Sequence, residues 1–242
     1  MNKNSILREE LTVLIVSSII VATFFYLVAH PHTIDGIIAK DVSSSSELID
    51  ALNSISPYVC INITDDFEIT EKCIIPDGKY IKVYSNSKKV IFAGDNVETM
   101  FFVQGKLLIE DNILINGNNL NLNHRADTIT LDKNGIFYLD GGSIYQSATN
   151  GIYGAEGSEI IIKSGNVYNN TASGIKSYGK VHISCDGKIY GNNDYGIKIF
   201  DYHDYIKIGN YHRPYNLERI IIEDNNSISN NLPDNIFIDM LK

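Results

Sequence analysis

The chain has 242 residues, of which 44% are hydrophobic and 20% charged, and its formal net charge at pH 7 is −9. This length allows one sizeable domain with appendages. The acidic charge argues against a nucleic-acid partner, because no basic stripe is available to bind phosphates. The three cysteines have no CxxC spacing and no histidines cluster near them, so a structural zinc site is also disfavoured.

The first predicted element is a membrane-spanning helix over residues 11–29. This stretch contains no charge and is long enough to cross a bilayer. Signal peptides usually have a shorter apolar region and a cleavage site of small residues, which Leu27-Val28-Ala29 fits poorly. We therefore predict an uncleaved signal-anchor, with a cleaved signal peptide as the alternative. Because positive charges precede the span, residues 1–10 are expected to be a cytoplasmic tail and the rest of the chain extracytoplasmic at the cell membrane.

Residues 30–43 are predicted to be a polar spacer, followed by a short helix over residues 44–56. Ser44 precedes Glu47 by three residues, which is the capping-box pattern. Apolar residues then recur on one helical face until Pro57. Because a helix directly before a repeat stack commonly shields its first open end, we expect this helix to have a capping role.

Residues 57–242 contain an internal repeat with a step of 22 or 23 residues. Strand signals alternate there with Gly, Asn and Asp turns, and no further convincing helical pattern is present, so an all-β domain is expected. A fixed period of this size indicates stacked units, here a parallel β-helix with Ile and Val columns inside. The aligned positions include Gly142, Gly165 and Gly187, and also Tyr145, Tyr168 and Tyr190, which are expected to form an outward ladder.

The same period predicts two insertions and one irregular strand. Five apolar positions recur after 39 residues, which a normal step of 22 and an insertion of 17 explain, so the insertion falls between Phe200 and Arg219. About six extra residues fall between Gly117 and Thr128 by the same comparison. Glu159 occupies an otherwise apolar column, so its strand is expected to be locally shifted.

Three segments carry a resemblance to a known class of proteins. GGSIYQSATNGIYG, KSGNVYNNTASGIKSYG and DGKIYGNNDYGIKI resemble the degenerate repeats of adhesin-like bacterial surface proteins. Those proteins are similar to the pectate-lyase-like superfamily, and the resemblance covers roughly Ser46 to the C-terminus. It implies a right-handed parallel β-helix with about 22 residues per coil, displayed at the cell surface.

Polysaccharide lyases and hydrolases share this fold, so the resemblance also allows a carbohydrate-active enzyme. The familiar hydrolase signatures Asn-Thr-Asp, Gly-His-Gly and Arg-x-Lys are missing. Asp111, Asp140 and Asp224 share one column with Lys163 and Cys185, and stacked carboxylates could bind Ca²⁺. The alternative is that Asp is simply a good turn former, and we predict no cofactor.

The insertions contain the best candidate ligand-binding residues, because loops on a rigid scaffold commonly carry function. Tyr rings can stack on sugars while Arg and His bond hydroxyls or carboxylates, which suits carbohydrate or protein recognition. The alternative is an ordered loop that covers the side of the stack. The candidates are Tyr202, His203, Asp204, Tyr211, His212, Arg213 and Tyr215 in the longer insertion, and His124 and Arg125 in the shorter one.

Two functional hypotheses follow. The favoured one is a membrane-anchored, extracytoplasmic β-helix with a non-catalytic, adhesion-like binding role for carbohydrate or protein through the loop over residues 201–218. The alternative is a carbohydrate-active, polysaccharide lyase-like enzyme that uses Arg213 or Arg125 with nearby carboxylates. If the domain is exported, Cys60 and Cys73 could form a disulfide, or both could stay reduced as buried thiols.

The chain ends at residues 235–242 while still in a strand pattern. Because an open final coil exposes strand edges, self-association through the C-terminal coil is expected.

Overall fold

The computed structural model describes residues 37–118, 127–201, 206–208, 220–224 and 227–240. The predicted tail over residues 1–10 and the predicted span over residues 11–29 lie outside these residues. In the part of the chain that is described, no helix is both long and apolar enough to cross a membrane.

The described residues contain one helix and a series of short strands. The helix, α1, spans Ser45–Leu52. The strands are β1 (Ile37–Val42), β2 (Tyr58–Ile63), β3 (Phe67–Ile69), β4 (Cys73–Ile75), β5 (Tyr80–Tyr84), β6 (Lys89–Ala93), β7 (Phe101–Val103), β8 (Lys106–Glu110), β9 (Ile113–Asn116), β10 (Ile129–Leu131), β11 (Ile136–Tyr145), β12 (Ile152–Gly154), β13 (Glu159–Tyr168), β14 (Ile175–Ser177), β15 (Lys180–Tyr190), β16 (Ile197–Asp201), β17 (Ile206–Ile208), β18 (Ile220–Ile222), β19 (Ile228–Ser229) and β20 (Ile236–Met240).

These strands form two sheets, and every pairing between named strands is parallel. The larger sheet follows the order β1-β2-β5-β8-β11-β13-β15-β18-β17, with β3, β6, β9 and β19 beside this path. The smaller sheet follows the order β20-β16-β14-β12-β10-β7-β4. Across the described residues the fold is therefore all-β, with parallel sheets and one short helix, an arrangement compatible with a β-helix or a related solenoid.

The core consists of apolar columns that run across the strands. Side chains alternate between the two faces of each strand, so every second residue enters the column. Each fully buried aliphatic side chain contributes about 1.5–3 kcal/mol. One column of the larger sheet contains Ile61, Val83, Ile109, Leu139, Ile162 and Ile183, and one of the smaller sheet contains Cys73, Phe101, Ile129, Ile152, Ile175 and Ile197, all fully buried.

The helix begins where the sequence predicts, after the cap residue Ser44, but it ends at Leu52, before the predicted end at residue 56. The Ser44 Oγ accepts a hydrogen bond from the Glu47 N–H at 3.4 Å, and the Glu47 carboxylate accepts one from the Ser43 N–H at 2.7 Å. The capping contact of the glutamate is thus made one residue earlier than in a standard capping box. Leu48 and Leu52 join the core, and the helix packs on β1, β2, β3 and β4. Its position over these first strands fits the expected capping role.

Part of the predicted spacer is instead a strand. The residues of β1 pair in parallel with β2 along six positions, from Ile37 opposite Tyr58 to Val42 opposite Ile63. The Asn62 side chain also donates to the Asp41 carboxylate at 2.8 Å. The prediction of a spacer over residues 30–43 is wrong for this part, because the open edge of β2 pairs with a segment whose own strand signal is weak.

The predicted insertions are confirmed by the strand register. Val181 pairs with Ile220, Ile189 with Ile228 and Ile197 with Ile236, each after 39 residues. The shorter insertion is confirmed in the same way, since Ile115 pairs with Ile144 and Ile129 with Ile152. The period measured in the sequence therefore describes the stacking of the strands.

The local shift predicted around Glu159 is also confirmed. Glu159 lies opposite Ile136 and Lys180, while the fully buried Ile160 enters the core column. The register is irregular between Ile162 and Ser164, which absorbs the slip. A strictly uniform period places Ile136 in the core, and this detail is wrong because Phe137 lies there.

A ladder of buried asparagines follows the strands at one turn. The Asn170 carboxamide oxygen accepts from the Ser147 N–H at 2.9 Å. The Asn192 oxygen accepts from the Asn170 N–H and Nδ2 at 3.1 and 2.8 Å, and the Asn231 oxygen accepts from the Asn192 N–H and Nδ2 at 3.1 and 2.7 Å. Asn231 Nδ2 then donates to Asn235 Oδ1 at 3.2 Å, within the same turn. Each amide thereby satisfies backbone and side-chain groups that the turn would otherwise bury without partners.

Candidate functional site

The loop residues proposed from the sequence as ligand-binding belong to the two insertions. All of them lie outside the described residues, so their role in binding a ligand stays a prediction. These residues are Tyr202, His203, Asp204, Tyr211, His212, Arg213 and Tyr215 in the longer insertion, and His124 and Arg125 in the shorter one. One part of the longer insertion is described, namely β17, which pairs in parallel with β18 from Ile206 opposite Ile220 to Ile208 opposite Ile222. This segment extends the larger sheet beyond β18, and the predicted role of the rest of the insertion stays a prediction.

The predicted aspartate column contains an ion pair. The Asp140 carboxylate contacts Lys163 Nζ at 2.6 Å and accepts from Ser164 Oγ at 2.9 Å. The Asp111 side chain lies against Gly141, at the place that a Cβ would occupy. Within the described part of the chain, no three His, Cys, Asp or Glu side chains are arranged to hold a metal ion. Lysine thus neutralises the Asp140 carboxylate that we considered for Ca²⁺.

Cys60 and Cys73 do not form the disulfide that the sequence allows. Both are free and buried, as the alternative interpretation expected. Cys73 belongs to the core column of the smaller sheet, whereas Cys60 lies between the core residues Val59 and Ile61 and so faces the opposite side of its strand. Their side chains therefore belong to different sheets and different faces.

The three thiols are expected to differ in reactivity. Burial raises the pKa of Cys73 to about 12. Cys185 is exposed, but partial desolvation of its thiol, together with the Glu223 carboxylate, raises its pKa as well. Because only the thiolate reacts, we expect iodoacetamide to label only Cys185 in the native chain, and more slowly at pH 8 than it labels an ordinary thiol. Mass spectrometry after timed labelling checks this, and labelling should accelerate in Glu223→Gln. Labelling of Cys73 as fast as Cys185 without denaturant would contradict it.

The outer surface of the smaller sheet presents a group of aromatic rings and lysines that we call the aromatic–lysine face. One outward column passes from Tyr153 to Lys176, Lys198 and Phe237 on four neighbouring strands. Tyr178 and Phe200 follow beside this column, and Tyr195 lies next to Phe237. All seven side chains are half-buried, namely Tyr153, Lys176, Tyr178, Tyr195, Lys198, Phe200 and Phe237.

The rings of this face contact one another. Tyr178 and Phe200 are stacked, with centroids 5.0 Å apart and an interplanar angle of 16°. Tyr153 lies 6.0 Å from Tyr178 in a tilted arrangement, and Tyr195 lies 4.8 Å from Phe237. Aromatic pairs at such distances contribute about 0.5–1.5 kcal/mol beyond area burial, so the rings are held in fixed orientations.

Two ammonium groups lie over these rings. Lys176 Nζ is 5.3 Å from the centroid of Phe200 and 5.8 Å from that of Tyr153. Lys198 Nζ is 5.1 Å from the centroid of Tyr195 and 5.5 Å from that of Phe237. Such contacts contribute about 0.5–1 kcal/mol each at exposed sites. The lysine chains are thus ordered along the sheet.

Hydrogen-bonding groups border the apolar surface. Lys198 Nζ also contacts the Asp194 carboxylate at 3.3 Å, and that carboxylate accepts from Ser173 Oγ at 2.9 Å. The pKa of Tyr153 is raised, mainly because the phenol is partly buried and also because Tyr178 and Asp127 lie close to it. Its phenol therefore stays protonated and can donate a hydrogen bond at neutral pH. The face combines ring surfaces for stacking with donors at their edges.

This face was missed from the sequence, although a signal was present. The repeat register aligns Tyr153 with Lys176 and Lys198, one residue after the inward column of Ile152, Ile175 and Ile197. Alternation turns such residues outward. Of the outward columns, only the tyrosine column of the other sheet was predicted from the sequence.

That tyrosine column forms the predicted ladder. Tyr145 and Tyr168 are stacked, with ring centroids 5.2 Å apart and an interplanar angle of 5°. Tyr168 and Tyr190 are stacked in the same way, with centroids 5.1 Å apart and an interplanar angle of 7°. Both neighbours cover the faces of the central ring, so Tyr168 offers only its edge to a ligand. The ladder stabilises the larger sheet and provides a comparison for the aromatic–lysine face.

At the C-terminal end, the two sheets differ. The outer edge of β18 is paired with β17, whereas β20 pairs only with β16 among the described strands. The self-association expected at this end stays a prediction.

Comparisons with known proteins add no family assignment to this picture, since no family model, no curated protein and no solved structure matches the chain.

Proposed function

We propose that the chain is a membrane-anchored, extracytoplasmic protein that binds carbohydrate at the cell surface without catalysis. The uncharged stretch over residues 11–29 would serve as the anchor. The rest would form a right-handed parallel β-helix like those of adhesin-like surface proteins, which the stacked parallel strands support.

The aromatic–lysine face is the observation that carries the proposal. Flat, half-exposed rings in fixed orientations can stack on the C–H faces of pyranoses at little cost in conformational entropy. The Tyr153 phenol and the lysine ammonium groups can donate to sugar hydroxyls at the ring edges. A protein-binding role also needs aromatic residues, but its hot spots favour deep pockets rather than an open row.

The spacing of the face favours an extended chain of sugars. Neighbouring strands lie about 4.8 Å apart, so the row from Tyr153 to Phe237 offers a new ring or ammonium group at each strand. An unbranched oligosaccharide that crosses the strands advances by a similar distance per pyranose. It could therefore contact the face at several successive sugars.

Binding of hexasaccharides to the full chain in detergent tests the proposal. Unbranched cello-, chito- and galacturonate oligomers are titrated by calorimetry, and we expect at least one to bind. Phe200→Ala removes the ring that stacks on Tyr178 and lies near both lysines, so it should weaken binding about three- to tenfold, the equivalent of one aromatic contact.

The matched control is Tyr168→Ala, which removes an equally stacked ring from the other sheet. It should leave the affinity unchanged, and thermal melting of both variants separates lost binding from lost folding. Equal weakening by the two substitutions, or no binding by any of these oligomers, would refute the proposal. Accumulation of unsaturated uronate absorbance during the galacturonate titration would instead favour the lyase alternative.

A further inference from the structure

Three segments of the chain match the N-glycosylation pattern Asn-x-Ser/Thr. They begin at Asn62, Asn169 and Asn225. Asn225 lies outside the described residues, whereas the other two segments are described in full. An oligosaccharyltransferase needs a sequon that is accessible and free of regular secondary structure, so the two can be compared by their surroundings.

Asn62 is not available for modification in the folded chain. It lies in β2, whose backbone pairs with β1 on one side and β5 on the other. Its Nδ2 donates to Asp41 Oδ1 at 2.8 Å, and its Oδ1 is buried. The hydroxyl of Thr64, the third residue of the motif, contacts the Val42 carbonyl at 3.2 Å. A glycan on this nitrogen would have to displace the contact between two strands.

Asn169 has the opposite surroundings. It follows the last residue of β13, is exposed, and has a φ of 54°, so the chain leaves the strand at this point. Thr171 is exposed as well. The Asn169 Oδ1 lies beside Gly191, in the turn that follows the neighbouring strand β15. A Cβ on residue 191 would be only 2.5 Å from this oxygen, so a glycine at that position leaves room for the Asn169 side chain. Both motif side chains are thus on the surface of one turn.

The turn that presents Asn169 is also rigid. The middle residue of the motif, Asn170, is fully buried and belongs to the asparagine ladder, with its Oδ1 bonded to Ser147 and its Nδ2 to Asn192. The Asn169 N–H donates to the Tyr190 carbonyl at 3.3 Å. These bonds hold the backbone while the Asn169 side chain stays outside, so a glycan there leaves the ladder intact.

We propose that Asn169 is an N-glycosylation site and that Asn62 is not. The inference rests on the extracytoplasmic location in the proposed function. In the reaction, the Asn169 Nδ2 forms a bond to C1 of a lipid-linked oligosaccharide, the bond between C1 and the pyrophosphate oxygen breaks, and the amide proton passes to solvent. The step is redox-neutral, and the lipid pyrophosphate leaves.

Expression of the full chain in a yeast secretory pathway tests this site. A C-terminal tag that carries its own acceptor sequon reports whether that end reached the lumen. Release of glycans by peptide N-glycosidase in heavy-oxygen water, followed by peptide mass spectrometry, marks each occupied asparagine. We expect Asn169 to be occupied in most chains and Asn62 in few.

Variants make the assignment specific. Asn169→Gln should remove the mass of one glycan, whereas Thr171→Ser, which keeps the motif, and Asn62→Gln should not. An unmodified Asn169 in chains whose tag is glycosylated would overturn this inference alone, as would equal occupancy at Asn62. If the tag is unmodified too, the extracytoplasmic location fails and the inference fails with it.

Discussion

Replacement of Asn192 by alanine is expected to lower the free energy of unfolding by about 3–6 kcal/mol, because it leaves several buried polar groups without partners. Asn192 is 1% exposed and lies in the middle of the asparagine ladder. Its carboxamide oxygen accepts two hydrogen bonds from Asn170, and its Nδ2 donates to Asn231. Truncation therefore removes the acceptor of the Asn170 N–H and of the Asn170 Nδ2, and it removes one of the two donors to the Asn231 Oδ1.

Asn193→Ala is the matched control for this change. Asn193 is the adjacent residue and is exposed, so its side chain can be truncated within about 0.5 kcal/mol. Equilibrium unfolding in urea measures the free energy of unfolding of both variants. Far-UV circular dichroism or tyrosine fluorescence reports the transition, because the chain has no tryptophan. If the two alanine variants unfold at the same urea concentration, the ladder does not stabilise the turn.

Much of the strand register could be predicted from the sequence because stacked repeats enforce it. Each core column requires an apolar residue at the same position of every repeat, so the period continues on both sides of an insertion. For this reason both insertions could be located correctly from the sequence. The slip near Glu159 was visible for the same reason. The order of the repeat strands within each sheet follows directly from this period, whereas β1 and β17 lie outside the repeat.

Other features of the fold have no periodic signal. The strand β1 pairs with an edge that the sequence of residues 30–43 does not reveal by itself, since pairing depends on what the neighbouring strand leaves open. The register also decides which residue faces inward: Phe137, and not Ile136, lies opposite Leu107, and the irregularity between Asp140 and Gly141 absorbs this one-residue difference. Local composition cannot resolve a shift of one residue.

The candidate site was predicted less well than the fold. The loop over residues 201–218 was the predicted binding site because polar and aromatic residues are concentrated there. The aromatic–lysine face instead combines residues from four strands, and its members become neighbours only when the register is applied to outward positions. Contacts such as that of Lys198 with Tyr195 depend further on side-chain orientation, which periodicity does not determine.

Gly165→Ala is expected to lower the free energy of unfolding by about 3–5 kcal/mol, from an unfavourable backbone angle and from overpacking. The φ of Gly165 is 93°, where a residue with a Cβ is strained. A Cβ at this position would also lie 2.2 Å from the Gly142 carbonyl oxygen and 3.1 Å from the Gly142 nitrogen. Backbone atoms cannot rotate away as a side chain can, so the strands β11 and β13 would have to separate locally.

Gly78→Ala separates these two causes. Gly78 has a φ of 76°, but no atom lies within 4 Å of the position that its Cβ would take. Its substitution should therefore cost only the strain of the backbone angle, about 1–2 kcal/mol. Urea unfolding of the two variants measures the difference, and equal losses would show that the strands relax around Gly165 without cost.

The same comparison explains why glycine recurs at this phase of the repeat. Cβ atoms on Gly142 and Gly187 would also meet the strand before them, at 2.8 Å from the Ile109 and Ile162 side chains respectively, although neither glycine has a positive φ. Close approach between neighbouring strands is thus shared by all three positions, and backbone strain is particular to Gly165. A larger loss in Gly165→Ala than in Gly78→Ala would assign the glycine repeat to the spacing of the strands rather than to turn formation.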